Sequence, residues 1–189
     1  MEPGKIVYRG KTKKGTDITI RYPSISDLKP LRCYINTLSK ERTFITFQGE
    51  QLSLESEEKY LKSFLEKTKK RQAVKLIVFT GKKLIGVADI KLDDKSIDSH
   101  IGAFGITIHK NYRGEGIGKL LMKLVLETAK DNLKGMKLVI LSVFGNNPVA
   151  RRMYQKFGFI DYGNLPKGVL HRGRYVDHYY MYKKLSSRQ

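Results

Sequence analysis

The stretch Ile106-Thr107-Ile108-His109-Lys110-Asn111-Tyr112-Arg113-Gly114-Glu115-Gly116-Ile117-Gly118-Lys119 decides how this chain is read. Its apolar start predicts a strand, its three glycines a turn, and the residues beyond them a helix over about 116–131. Along that helix Ile117, Leu120, Leu121, Leu124, Val125, Thr128 and Ala129 recur at three- and four-residue spacing, so one face packs on a sheet. Glycines ahead of a first helical turn leave backbone N–H groups with no side chain in front of them. With the positive end of the helix dipole and Arg113 alongside, those groups suit a phosphate or diphosphate.

Spacing removes two common nucleotide motifs. A P-loop needs a glycine five residues before its Gly-Lys-Ser/Thr, but Arg113 holds that place and Leu120 follows Lys119. A dinucleotide fingerprint needs a third glycine where Lys119 stands, and an acidic residue at the ribose spacing, which is missing.

Outward from the loop, the 189 residues suffice for one domain with a real core. Eleven Tyr and eight Phe mark a globular composition. No apolar run approaches the roughly 20 residues of a membrane span, and residues 1–5 lack the apolar core of a leader peptide, so no membrane association is expected. The lone Cys33 allows no internal disulfide and no thiol-based metal site, which fits a reducing cytoplasm; it falls within an apolar helical pattern and is expected in the core. No metal is expected. The net charge of +19 suits nucleic acid, an anionic cofactor or an acidic protein. Its Lys and Arg residues are spread along the whole chain, which favours a solvated basic surface over a nucleic-acid site.

Residues 5–22 read as a basic hairpin turning at Lys14-Gly15, followed by a helix with Ser26 as N-cap and a stripe of Leu28, Leu31, Tyr34, Ile35 and Leu38. A polar and aromatic linker over 40–52 leads to a second helix after Ser53, acidic at its start and basic at its end. Residues 73–79 and 84–90 form a hairpin, a polar turn covers 93–98, and a strand from about His100 to His109 feeds the loop. After the loop helix, 137–144 is an unbroken apolar strand, as in a sheet centre.

A second motif lies in Asn146-Asn147-Pro148-Val149-Ala150-Arg151-Arg152-Met153-Tyr154-Gln155-Lys156-Phe157-Gly158-Phe159. An Asn caps a short helix, Pro148 takes the first turn, and Gly158 ends it in the left-handed conformation. Together Arg113-x-x-Gly116-x-Gly118 and the Asn147, Ala150, Met153, Tyr154, Gly158, Phe159 pattern resemble the GNAT superfamily of acetyl-CoA-dependent N-acetyltransferases. Residues 173–177 with Met181 resemble its C-terminal strand. The likeness covers about residues 16–185.

That resemblance implies a single α/β (α+β) N-acetyltransferase domain over 1–189. It implies a mixed sheet of about seven strands, helices on both faces, and a splayed pair of strands, the fourth and fifth in the family's count. Acetyl-CoA would lie in the splay. The strand edge at Ile106, Thr107 and Ile108 would pair with the pantetheine arm, the backbone amides from Arg113 through Gly114, Gly116, Ile117 and Gly118 to Lys119 would hold the diphosphate, and Asn147 would contact the pantetheine side. Glu115 is expected to point outward. Tyr154 would be the general acid toward the thioester sulfur, and a backbone N–H near Ile108 would stabilise the oxyanion. An amine must lose a proton before attack. The strand carries no Glu for this, which leaves His100, Asp89 or a water chain. His171, His178 and Asp177 receive no role.

The expected activity is acetyl transfer to a primary amine: a protein N-terminus, a lysine or a small amine, with a homodimer as an allowed assembly. Two other readings stay open at this point, a basic nucleic-acid- or ribosome-associated module and a catalytically silent acyl-CoA-binding protein on the same fold.

Overall fold

A computed structural model describes residues 1–93 and 96–185. Positions 94 and 95 of the turn expected over 93–98, and the last four residues of the 1–189 span, lie outside the described residues. Strands β1 (Ile6–Lys11), β2 (Asp17–Arg21), β3 (Ala73–Thr80), β4 (Lys83–Leu92), β5 (Ile101–Ile108), β6 (Leu138–Phe144), β7 (Ile160–His171) and β8 (Arg174–Lys184) build one sheet in the order β1-β2-β3-β4-β5-β6-β8-β7. The sheet has eight strands where about seven were expected. Helices are α1 (Leu28–Lys40), α2 (Leu54–Lys69), α3 (Ile117–Asn132) and α4 (Pro148–Lys156).

Alternation along β3 explains how both faces are covered. Ile77 and Phe79 meet Leu31, Tyr34 and Leu38 of α1 and Leu61 of α2. Val74, Leu76 and Val78 belong to the larger core with Ile117, Leu121 and Val125 of α3. Lys75, 4% exposed, lies under α2 between the Tyr60 and Phe64 rings (4.5 and 4.2 Å), with Tyr60 Oη at 3.0 Å and Asp89 Oδ2 at 3.4 Å. Burial works against its charge, but Asp89 and Tyr60 outweigh burial and hold its pKa up.

Two local expectations are corrected. The chain enters α1 through a 3-10 turn at Ile25–Asp27 whose cap is Ser24, not Ser26: the Asp27 carboxylate accepts from Ser24 N (2.8 Å) and bidentately from Arg21 (2.6 and 2.7 Å). Cys33 is exposed. The buried stripe of α1 is Leu31, Tyr34 and Leu38, and Cys33 sits about 100° around the helix from Tyr34.

The site is positioned by the one parallel pair in the sheet. The β5–β6 ladder runs through Ile101↔Leu138 and Gly102↔Val139 and ends at Ala103↔Ile140. By contrast β4 follows β5 up to Gly86↔Ile108, and β8 follows β6 up to Phe144↔His178. Beyond Ala103 the two strands part, and the β6-facing backbone groups of β5 have no strand partner.

Candidate active site

Into that gap opens a cavity of about 830 Å³. Its floor is the diverging pair, with Ile106, Thr107 and Ile108 on one side and Ser142, Val143 and Phe144 on the other. One end is closed by the glycine loop. Gly114 (φ +80°) and Gly116 (φ +89°) take left-handed backbone there, which side chains resist. Gly116 is the N-cap of α3, and Gly118 lines the cavity one residue inside the helix, so the free first-turn amides face the opening.

The wall opposite is α4. Asn147 caps it, Oδ1 accepting from Ala150 N at 3.2 Å, and Gly158 (φ +82°) follows its end. Tyr154 lies on the inner face, 7% exposed, packed edge-on to Phe104 and tilted against Phe159 with ring centroids 6.1 Å from each. Burial pushes its phenol up to about 12, and no hydrogen-bond partner for it occurs among the described residues.

The structure therefore gathers Ile106, Thr107, Ile108, Arg113 and Gly114 with Gly116, Gly118, Lys119, Asn147 and Tyr154 around one cavity. Ile117 is buried beneath it at 2% exposure. His100 is not gathered in. It precedes β5 at the paired end of the splay, where its carbonyl accepts from Lys137 N and Leu138 N (2.8 and 3.2 Å). Seven residues of strand, roughly 23 Å, separate it from Thr107. Asp89 also lies off the cavity, engaged with Lys75.

Two loop side chains behave differently from expectation. Arg113 turns from the loop toward the α1–α2 connection, donating to Ile108 O (2.8 Å), Glu41 Oε2 (3.2 Å) and Thr43 Oγ1 (3.3 Å). Glu115 does not point outward. It is 5% exposed, and its Oε2 accepts from Thr12 Oγ1 (2.7 Å) and Thr16 Oγ1 (2.9 Å) of the β1–β2 turn. Those two hydroxyls hold its carboxyl below the usual range.

At the far end the cavity reaches Leu38 and residues 43–46. His171, 1% exposed, fixes this rim, with Nε2 against Arg42 O and Nδ1 against Asn146 Nδ2, both at 2.9 Å. Since a carbonyl only accepts, Nε2 carries the proton and Nδ1 accepts from the amide. Phe44 stacks on the same imidazole at 4.9 Å. Thr107 meets the buried Tyr34 hydroxyl of α1 at 3.0 Å. Sequence reasoning missed Lys13, a cavity-lining residue, and His171. A basic turn and an isolated histidine carry no local signal of partners more than a hundred residues away.

With this geometry in hand, known proteins offer a comparison. The model of the acetyltransferase (GNAT) family matches residues 38–159. The L-amino acid N-acetyltransferase AaaT of Escherichia coli is 33% identical over 98 residues, 52% of this chain and 60% of that protein's length. Among solved structures, an acetyltransferase of the GNAT family from Streptococcus pneumoniae superposes with a TM-score of 0.81 at 27% identity, covering 89% of this chain and 99% of that one. YncA from Salmonella typhimurium, solved with its cofactor acetyl-CoA, shares the fold at a TM-score of 0.78 and 15% identity, covering 91% of this chain and 96% of the other.

Proposed function

Because the chain belongs to the acetyltransferase (GNAT) family, we propose that it transfers the acetyl group of acetyl-CoA to a primary amine by direct attack. One observation carries the reading: the glycine loop, the free edge of β5 and Tyr154 all face a single cavity. The lining suits this donor, with glycine amides and the cationic Lys13, Lys119, Arg152 and Lys156 as well as the apolar Ile106, Ile108, Val143 and Met153. When bound, acetyl-CoA supplies an activated acyl thioester.

The free edge of β5 takes the pantetheine amides as an added strand, and the loop amides take the diphosphate. A backbone N–H near Ile108 receives the charge developing on the carbonyl oxygen. Tyr154 donates a hydrogen bond to the departing sulfur, which leaves as the thiolate. The acceptor enters past residues 43–46, and water in this rim takes the amine proton, since neither His100 nor Asp89 reaches the cavity. A net charge of +19 supports a neutral or acidic acceptor over a polycation. The amino acid acceptor in the name of the Escherichia coli relative makes an α-amine the first to try.

The test is thiol release from acetyl-CoA with a panel of amino acids, small amines and peptides. Release that depends on one acceptor class is expected. CoA binding with no release across the panel would instead favour a silent acyl-CoA-binding protein.

A further inference from the structure

Residues 6–21 lie outside the matched family segment, yet their hairpin is fastened to the glycine loop. Glu115, between Gly114 and Gly116, accepts from Thr12 Oγ1 at 2.7 Å and Thr16 Oγ1 at 2.9 Å, and its carbonyl accepts from Lys13 N at 3.2 Å. Thr12 Oγ1 also accepts from Thr16 N at 3.2 Å, which closes the turn on itself. Two strands of chain a hundred residues apart thus meet at one carboxylate.

Between the two anchoring threonines stands Lys13, a lining residue of the cavity. Its stem lies along Gly116, where a Cβ would sit 3.5 Å from Lys13 Cγ and 3.7 Å from Cδ and Cε. The same clamp deals with the only acid in the loop: Glu115 faces the threonines and does not line the cavity. One contact set therefore brings a cation to the α3 N-terminus and turns an anion away from it.

We propose that Lys13 is a binding residue for the donor's diphosphate, presented by the β1–β2 turn that Glu115 clamps to the loop. This rests on the donor reading above and deepens it by adding a residue from beyond the family segment. The lysine ammonium complements charge that the loop amides alone meet with partial dipoles.

The test is equilibrium binding of CoA, 3′-dephospho-CoA and pantetheine to the wild type, Lys13→Ala, Lys13→Arg and the double variant Thr12→Val/Thr16→Val, with thermal unfolding of each. Lys13→Ala should weaken CoA and 3′-dephospho-CoA equally, by about 5- to 30-fold at low salt. It should leave pantetheine unchanged and flatten the salt dependence, and Lys13→Arg should restore most of the loss. The double valine variant should weaken the same two ligands with Lys13 intact, because the turn is no longer held. Unchanged CoA affinity in Lys13→Ala, where the wild type binds CoA, overturns the assignment and leaves the donor reading standing. A loss for CoA that is absent for 3′-dephospho-CoA moves Lys13 to the 3′-phosphate and overturns it too. A wild type that binds none of the three sinks both readings together.

Discussion

Tyr154→Phe takes one oxygen from the cavity wall. The ring keeps its contacts with Phe104 and Phe159, and the hydroxyl has no partner among the described residues to orphan. Folding stability should therefore change by less than about 1 kcal/mol. Burial holds the phenol at about 12, whereas an alkyl thiol ionises near 8.5. Complete transfer of the proton to a free thiolate would run uphill by about 3.5 pKa units, or roughly 5 kcal/mol. Tyr154 instead offers a hydrogen bond to charge developing on sulfur, about 1.5–3 kcal/mol, which predicts a fall in kcat of roughly 10- to 150-fold. Initial rates at saturating acceptor should show that fall with KM for acetyl-CoA nearly unchanged. The raised pKa keeps the hydroxyl protonated well above neutrality, so the wild type should show no alkaline loss due to Tyr154 between about pH 7 and 10. A fully active Tyr154→Phe means another donor. An alkaline limb below pH 10 that vanishes in the variant refutes the desolvation argument itself.

Gly116→Ala forces an alanine into φ +89°; it should cost roughly 1–2 kcal/mol of stability, a few degrees in Tm, and weaken CoA binding, and unaltered affinity would remove the loop assignment. Asp27→Ala leaves the Arg21 guanidinium without its carboxylate inside the fold, an expected loss of about 3 kcal/mol in denaturant unfolding. Burial alone would raise the Asp27 pKa, but bonds from Arg21 and Ser24 outweigh it and lower it. The stabilisation is thus full above the unfolded value of about 3.9 and lost as pH falls below it, and the variant should lack that acid-side slope. His171→Ala removes the imidazole that bridges Arg42 O and Asn146, leaving the Arg172 bonds to Glu41 O and Arg42 O to tie the β7–β8 hairpin to the α1–α2 connection: a loss of about 3 kcal/mol is expected, with KM for the acceptor rising more than KM for acetyl-CoA.

The parts of the fold that were legible in the sequence are those governed by neighbours in the chain. The Pro148 start and Gly158 stop of α4, the start of α2 after Ser53 and the hairpin of β3 and β4 each need only a few adjacent residues. The glycine loop reads for the same reason: its spacing sets which backbone amides stay free. Side-chain direction is another matter. Glu115 looked solvated because its hydroxyl partners are a hundred residues upstream. Cys33 looked buried because an apolar segment does not announce which of its residues falls off the stripe. His100 looked close to the chemistry because it shares a strand with Thr107, yet β5 is splayed at only one end, and the sequence does not mark which.

The three-rung parallel ladder between β5 and β6 has a mechanical meaning as well. On its outer side each strand of that pair has a longer antiparallel ladder, β5 with β4 from Gly86↔Ile108 to Leu92↔Gly102 and β6 with β8 from Leu138↔Lys184 to Phe144↔His178, so the sheet carries a short seam between two fully paired edges. Under the proposed function, a donor laid along β5 fills the missing rungs and acts as a splint across that seam. Hydrogen exchange at residues 104–108 should then slow on CoA binding, and unfolding should shift upward by mass action, about 2.7 kcal/mol at a ligand concentration a hundred times Kd. In that state the co-substrate is part of the architecture, and releasing CoA after turnover reopens the seam.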